Sequence, residues 1–396
     1  MAAMEKNNKT INVPHLRFPE FSGEWKKCTI GDFGNVITGN TPPTAEDKNY
    51  DNGTHLWASP ADLGTTKYIE STQTLLSDRG FEKSRSFPAN SILVTCIGST
   101  IGKMGMSKTE MASNQQINTI VPVQHDANFV YYAVQSRFPR YLSSIAVQAV
   151  PILSKSSFEK LTNYTTARKE QIKIGNLLSL IDERIDTQKK IIEDLKKLKD
   201  AITHSHYRNE MSHSPMVYIG QYITQVSKRN KDAKIDRVLS VSNKYGFINQ
   251  DEQFDDREVA SADTSNYKVV HKGDFAYNPA RINVGSVARL QEFENGIVSP
   301  MYVCFTAKKG LLPAYFELYL STGIFKYEMN KRLEGSVRLC LTYESLCNIK
   351  IALPEFNVQK DFVSKVSTIL TKIRTEERLL YLYHNCKQYL LSQMFI

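Results

Sequence analysis

Residues that could do chemistry occur in several short constellations, and each fails as a catalytic signature in a definable way. Gly98-Ser99-Thr100-Ile101-Gly102-Lys103-Met104 follows the strand-like run Ile92 to Ile97. A glycine-rich turn after a strand can cradle phosphate, but the nucleotide-binding form has four residues between its glycines and a Ser or Thr after the lysine to hold magnesium. Here three residues separate the glycines and Met104 follows the lysine. Asn278-Pro279-Ala280 is one proline short of the Asn-Pro-Pro-aromatic signature of adenine methyl transfer, and no glycine-rich cofactor loop accompanies it. Glu24-Trp25-Lys26 could belong to a nuclease-type acid-x-lysine pair, yet no second acidic partner stands at a suitable spacing. His204, His206 and His213 gather where a long helical pattern ends, a place where an imidazolium favours the helix dipole. The six cysteines show no metal spacing and none needs a bridge. The sequence therefore assigns no catalytic residue and no metal site.

Binding chemistry remains. Thr38-Gly39-Asn40-Thr41-Pro42-Pro43 is a turn on glycine and proline grounds, and it presents Thr38, Asn40 and Thr41. Ser99, Thr100 and Lys103 form a second polar tip. Lys228-Arg229-Asn230-Lys231, Asn243-Lys244-Tyr245 and Tyr277-Asn278-Pro279-Ala280-Arg281, with Asn283, place cations and amides beside aromatics. Arginine and asparagine are the side chains that read guanine and adenine edges, and lysine and small hydroxyls hold phosphates. A net charge of +9 is compatible with a polyanionic partner but is spread along the chain, so it adds only modest weight. Taken singly, each of these residues equally suits a solvated surface turn.

Two long helices must position these loops. From Ala167 to Tyr207 there is no proline, and Leu178, Ile181, Ile185, Gln188, Ile192, Leu195, Lys199 and Ile202 alternate at spacings of three and four, a coiled-coil seam. Val366, Ile369, Ile373, Glu376, Leu380, Tyr383, Lys387 and Leu390 repeat that seam at an offset of 188, including its polar breaks at Gln188/Glu376 and Lys199/Lys387. Weaker matches precede both helices. Ile30-Gly31-Asp32-Phe33 faces Ile219-Gly220-Gln221-Tyr222, and Phe158-Glu159-Lys160-Leu161 faces Tyr343-Glu344-Ser345-Leu346. The common order predicts two copies of one unit, each a globular segment followed by a long helix. The expected boundaries are an arm over 1–21, globular segments over 22–166 and 211–353, and helices over 167–210 and 354–396. If a pseudo-twofold axis relates the copies, the helices run antiparallel. Gln188 and Glu376 then meet at their crossing, with Tyr383 near Ile181 and Ile369 near Leu195.

At 396 residues with 41% hydrophobic content the chain suffices for two ordinary cores. No apolar run spans a membrane, the first residues lack the apolar stretch of a secretory signal, and a reducing cytoplasm is the expected setting.

This tandem of globular segment and heptad helix, with Arg17-Phe18-Pro19-Glu20-Phe21 leading into the first copy and Lys272-Gly273-Asp274-Phe275 inside the second, resembles the specificity subunit of type I restriction-modification enzymes. The resemblance covers nearly the whole chain and rests on architecture more than on any one motif. One departure is Ala89-Asn90-Ser91 where the second copy has Lys272-Gly273-Asp274. The resemblance implies an α+β fold: two tandem pseudo-symmetric target-recognition domains separated by two long antiparallel coiled-coil helices. Each domain would read one half of a bipartite double-stranded DNA site. Methyltransferase subunits, expected as two, and ATP-dependent endonuclease subunits would assemble on the chain, and these partners would carry S-adenosylmethionine, ATP and magnesium. The chain itself would bind no cofactor and catalyse nothing. Two other readings stay open, a self-sufficient DNA-modifying enzyme and a coiled-coil scaffold unrelated to DNA.

Overall fold

The computed structural model describes residues 12–144, 152–243, 245–250, 264–335 and 338–396. The chain divides into two compact units, Met1–Lys190 with Glu377–Ile396, and Ile191–Glu376.

The first unit is built on a five-stranded sheet in the order Gly34–Thr38, Ile117–Pro122, Ile92–Thr95, Met104–Ser107, Tyr68–Ile69. Its neighbours pair antiparallel except the last, which is parallel. Ile92–Thr95 is buried at every position, which is why it reads as a continuous apolar run rather than an alternating one. A four-stranded sheet of Thr74–Leu76, His55–Ala58, Met111–Ser113 and Ser86–Phe87 adjoins it. Helix Ala127–Ser144 brings Phe129, Tyr132 and Val134 into the core. A ribbon of Lys26–Thr29 against Thr162–Thr165 then delivers the chain to the first long helix, Arg168–His213.

The second unit repeats the ribbon and the main sheet of this plan, with two-stranded sheets Leu239–Ser242 with Gly246–Asn249 and Lys268–His271 with Asn295–Val298 where the first unit has its four-stranded one. Met216–Tyr218 pairs with Lys350–Ala352 as the ribbon, and Ile223–Val226, Val303–Ala307, Phe275–Tyr277 and Val287–Arg289 form a sheet in the same topological order. The turn Ile30–Phe33 answers to Ile219–Gln221. The one-turn helices Lys155–Glu159 and Tyr343–Cys347 occupy matching places, each capped by a hydroxyl, Ser154 or Thr342, that accepts from the N–H three residues on. The ribbon again hands over to a long helix, Phe356–Met394.

One contact is duplicated, with two of its hydrogen bonds matching atom for atom. Gln171, in the first turn of the first long helix, donates to the Thr166 carbonyl and accepts from the Asp126 N–H. Gln359, which is Gln171 plus 188, donates to the Pro354 and Gly310 carbonyls and accepts from the Leu312 N–H. Both glutamines are essentially buried, at 2% and 1% exposed. Each ties the strand-to-helix connection to the start of the domain's own helical layer, satisfying backbone groups that water cannot reach.

Within each unit the long-helix segments run antiparallel. In the first, Lys387 forms an ion pair with Asp182 at 2.6 Å, while Phe395 meets Trp25, whose indole N–H reaches Glu170. Going forward along one helix therefore goes backward along the other. In the second, the His206 ring stacks on Phe362 at 3.7 Å, and Lys199 lies beside Leu370 and Arg374.

Two details of the expected seam are corrected. Ile202 is exposed at 36%, and the buried stripe steps instead to Thr203, Tyr207 and Glu210. A straight helix drifts about 20° per heptad against a 3.5-residue repeat, so after three heptads the buried face moves on by one position. The partner of Asp182 is Lys387, one turn beyond the Tyr383–Ile181 layer that centring on Gln188 requires. The first long helix continues to His213, past the expected end at 210, and its midpoint lies between Lys190 and Ile191. Gln188 and Glu376 are both buried, at 5% and 7% exposed, so neither leans into solvent, and Glu376 is ion-paired to Lys372.

The arm is anchored by charge. The Arg17 guanidinium donates to both carboxylate oxygens of Glu170 at 2.7 and 2.8 Å, and Glu170 also accepts from Thr166 and Trp25. Hydrogen bonding to Glu170 raises the Arg17 pKa above its ordinary value. Arg17→Ala leaves Glu170 a buried, uncompensated carboxylate, so chemical denaturation should show a loss of about 3 kcal/mol in the first unit. Gln171→Ala should speed hydrogen exchange at the Asp126 amide and leave Leu312 unchanged, and Gln359→Ala should do the reverse. Unaltered protection at both amides would mean that the glutamines do not hold these connections.

Candidate nucleic-acid interface

In the first unit a cluster of loops forms at residues 38–41, 83–86, 98–100 and 113–116. Gly39 lies so close to the 113–114 backbone that an added Cβ would stand 2.2 Å from the Ser113 carbonyl oxygen, so only glycine fits there. Thr38 donates to Asn118 at 2.7 Å, while the Asn40 side chain donates to the Lys83 carbonyl and accepts from the Arg85 N–H. Both are spent on shaping the loop. Thr41 is exposed and donates to Gln115 at 2.6 Å. Arg85 donates to the Thr38 carbonyl from an exposed position. Gln115, Gln116 and Arg85 were not singled out from the sequence. The signal that could have found them is the amide run Asn114-Gln115-Gln116 directly before a buried strand.

The Gly98-to-Lys103 segment is a hairpin connection between antiparallel strands Ile92–Thr95 and Met104–Ser107, with Gly98 at φ +96° and Gly102 at φ +91°. No helix follows it, so the phosphate-cradle geometry of a nucleotide site is absent from this segment. Ser99 is exposed near the Gln116 side of the loop cluster. Lys103 faces another way and lines a cleft against the long-helix segments.

In the second unit Asn278 and Arg281 line one small crevice of about 230 Å³ with Gln250, Ser299 and Tyr302. The loop is internally braced: Asn278 accepts from the Ala280 N–H, and the Arg281 carbonyl accepts from Val284 and Ser286. The Arg281 side chain is exposed. Asn243 and Asn283 share a neighbouring cavity, linked by the Asn243 amide donating to the Val284 carbonyl at 3.4 Å. Lys228, Arg229 and Lys231 are exposed, with Arg229 donating to Asn266. Lys244 lies outside the described residues.

Two expected contacts are withdrawn. Tyr277 is fully buried, with its hydroxyl donating to the Leu341 carbonyl, because it sits on a central strand whose side chains all face protein. Asn230 is 2% exposed and both ends of its amide bond the Ile235 backbone, a turn-forming role. Two of the three histidines at the end of the long helix are held by protein contacts, and His204 is exposed. His206 stacks on Phe362 with its pKa lowered, chiefly by burial, and His213 bonds the Asn209 carbonyl. Among the described residues no group of His, Cys, Asp and Glu could hold a metal, and no helix is long and apolar enough to cross a membrane. What the loops offer is hydrogen-bonding amides, hydroxyls and guanidinium groups on a rigid frame, chemistry suited to reading base edges and backbone.

Residues 22–197 match the family model described as the type I restriction modification DNA specificity domain. The chain is 29% identical over 182 residues to the MjaIX specificity subunit of Methanocaldococcus jannaschii, covering 44% of this chain and 42% of that one. It is 26% identical over 196 residues to the EcoR124I/EcoR124II specificity subunit of Escherichia coli, covering 48% and 44%. These matches span less than half the length of either relative. The MjaVIII specificity subunit of M. jannaschii aligns over 94% of this chain at 23% identity. The crystal structure of a type I S subunit from M. genitalium shares the fold across 97% of this chain and 99% of its own, with a TM-score of 0.60 at 18% identity. The second globular segment is tied to the first by its repeated topology and the Gln171/Gln359 contact. Residues 22–197 thus carry the match to the type I restriction modification DNA specificity domain, and the chain as a whole is similar to type I specificity subunits in sequence and fold.

Proposed function

We propose that this chain is the sequence-specific, double-stranded DNA-binding subunit of a type I restriction-modification complex. Each globular segment reads one half of a bipartite target, and the long helices set the gap between the halves. The carrying observation is the duplication: one frame occurs twice, and each copy presents a different set of amides and cations on its loops. Two reading heads with different loops suit two different half-sites. Methyl transfer and ATP-dependent cleavage belong to partner subunits, two methyltransferases and the endonuclease, which bring S-adenosylmethionine, ATP and magnesium. This chain supplies position, not chemistry. Mapping methylated adenines in the host genome with and without this gene tests the reading, since loss of a single bipartite motif is the expected outcome.

Arg281→Ala should relax specificity at one position of one half-site, at a cost of about 1 to 3 kcal/mol if the guanidinium pairs with a guanine. Binding measured against a panel of single-base variants checks this, and an equal loss on all sequences would make Arg281 a phosphate contact. A one-turn insertion in both long helices adds about 5.4 Å, more than one base-pair rise of about 3.4 Å. It should lengthen the recognised gap while leaving both half-sites unaltered, as read by methylation mapping.

A further inference from the structure

Lys199 and Lys387 interrupt the helix seams at equivalent positions, and recognition of base edges does not explain them. Each lies in a cleft enclosed by the globular segment and the long-helix segments of its own unit. The first cleft, about 500 Å³, is lined by Lys67, Lys103, Lys189 and Lys387, with Asp182 and Asp186 as its carboxylates. The second, about 390 Å³, is lined by Lys199, Arg289 and Arg374, with Glu317 as its carboxylate. The two are the same place in the repeat. Adding 188 carries Asp182 to Leu370 and Asp186 to Arg374, and adding 186 carries Tyr131 to Glu317 and Gln135 to Ser321, all of which line the two clefts.

Although the individual side chains differ, the cations lining each cleft outnumber its lining carboxylates, and Lys199 in the second is also paired to Asp200 at 2.9 Å. The His384 pKa is lowered, by burial first and then by Lys189 and Lys387. The carboxylates are already engaged. Asp182 holds Lys387 and the Tyr132 hydroxyl, and Glu317 accepts from both Arg289 and Gln291. Lys189 is exposed and sits 3.3 Å from Asp186. Arg374 has no carboxylate within ion-pair distance among the described residues. Hydroxyls and amides complete the walls, Thr65, Thr66 and Gln388 in one, Gln291, Ser367 and Thr371 in the other. A low-dielectric cleft with surplus cations and several donors concentrates an anion of one or two charges.

We propose that each cleft seats a phosphodiester group of the DNA backbone, so that the helix pair grips the duplex beside each half-site as well as measuring the gap. This rests on the DNA-binding reading above. The clefts supply affinity without sequence information, as backbone contacts do.

The test uses the full chain with its methyltransferase partner, and duplexes carrying either the recognised site or a scrambled one, from 50 to 300 mM salt. Lys189→Gln should lower the salt slope by about one and weaken binding roughly fivefold near 0.15 M salt, on both duplexes alike. Arg374→Gln should do the same, and the double variant should lose about two from the slope. The ratio of site to scrambled affinity should stay unchanged, as should the thermal midpoint. Unchanged slopes in a wild-type complex that still prefers its site would overturn the clefts as phosphate seats while leaving the DNA-binding reading intact. Failure of the wild-type complex to bind either duplex would overturn both. Loss of the methyltransferase subunit from the variants at constant slope would assign the clefts to an acidic protein surface. A midpoint raised by ATP or orthophosphate without DNA, and not raised in Lys189→Gln, would assign them to a free phosphate. Either result overturns the proposal.

Discussion

A long helix with one apolar stripe is stable in water only while that stripe is covered, since propensity alone leaves isolated helices marginal. In each unit the cover is a segment of the other long helix running the opposite way, joined by the globular segment's own core. Leu178 and Ile174 share a cluster with Leu391, Met394 and Phe395, and Tyr207 shares one with Phe362 and Val366. The loops proposed to carry recognition chemistry keep their aim only if the body beneath them is fixed to these helices. Gln171 and Gln359 provide that fixation at the helix starts. Buried polar groups of this kind specify one arrangement, because any slip would leave backbone N–H and carbonyl groups unpaired away from water.

The first unit adds a charged version of the same device. Lys67 is 5% exposed, yet its ammonium is held by Asn128 and Ser179 and lies over the rings of Tyr68, Tyr131 and Tyr132. Burial pulls its pKa down to about 8. Tyr132 in turn donates to Asp182, which pairs with Lys387. A chain of partners from strand-edge loop to domain helix to both long-helix segments leaves little freedom at this junction. Such a network is costly to desolvate and costly to break, so it suits a place where geometry matters more than net stability.

The comparison between the two copies separates frame from function. Ribbon, turn, sheet order, capped one-turn helix and glutamine contact recur, whereas the loops do not. The 38–41 loop is braced by Lys83 and Arg85 from the connection that precedes strand Ser86–Phe87, while the 278–285 loop braces itself through the Arg281 carbonyl. The copies diverge in these loops and in the strands added beside the shared sheet, which suits the proposed reading of two unlike half-sites.

Much of the architecture was legible in the sequence, because it is written in local periodicity. The three-four spacing of Leu178, Ile185 and Ile192, and the offset of 188, follow from the geometry of a single helix and from duplication, and neither needs a fold to be seen. The absence of a catalytic signature was legible for the same reason, since such motifs are short. The facing of single side chains was not. Tyr277 and Arg281 stand in one short stretch of similar composition, yet one is core and the other exposed, and only strand pairing decides which. The register that joins Lys387 to Asp182 connects residues about two hundred positions apart, and shared seam patterns allow several registers equally well. The two cationic clefts likewise exist only where loop, domain helix and long-helix segments converge. Their residues come from distant stretches, so their summed charge becomes a field only after folding has excluded water between them.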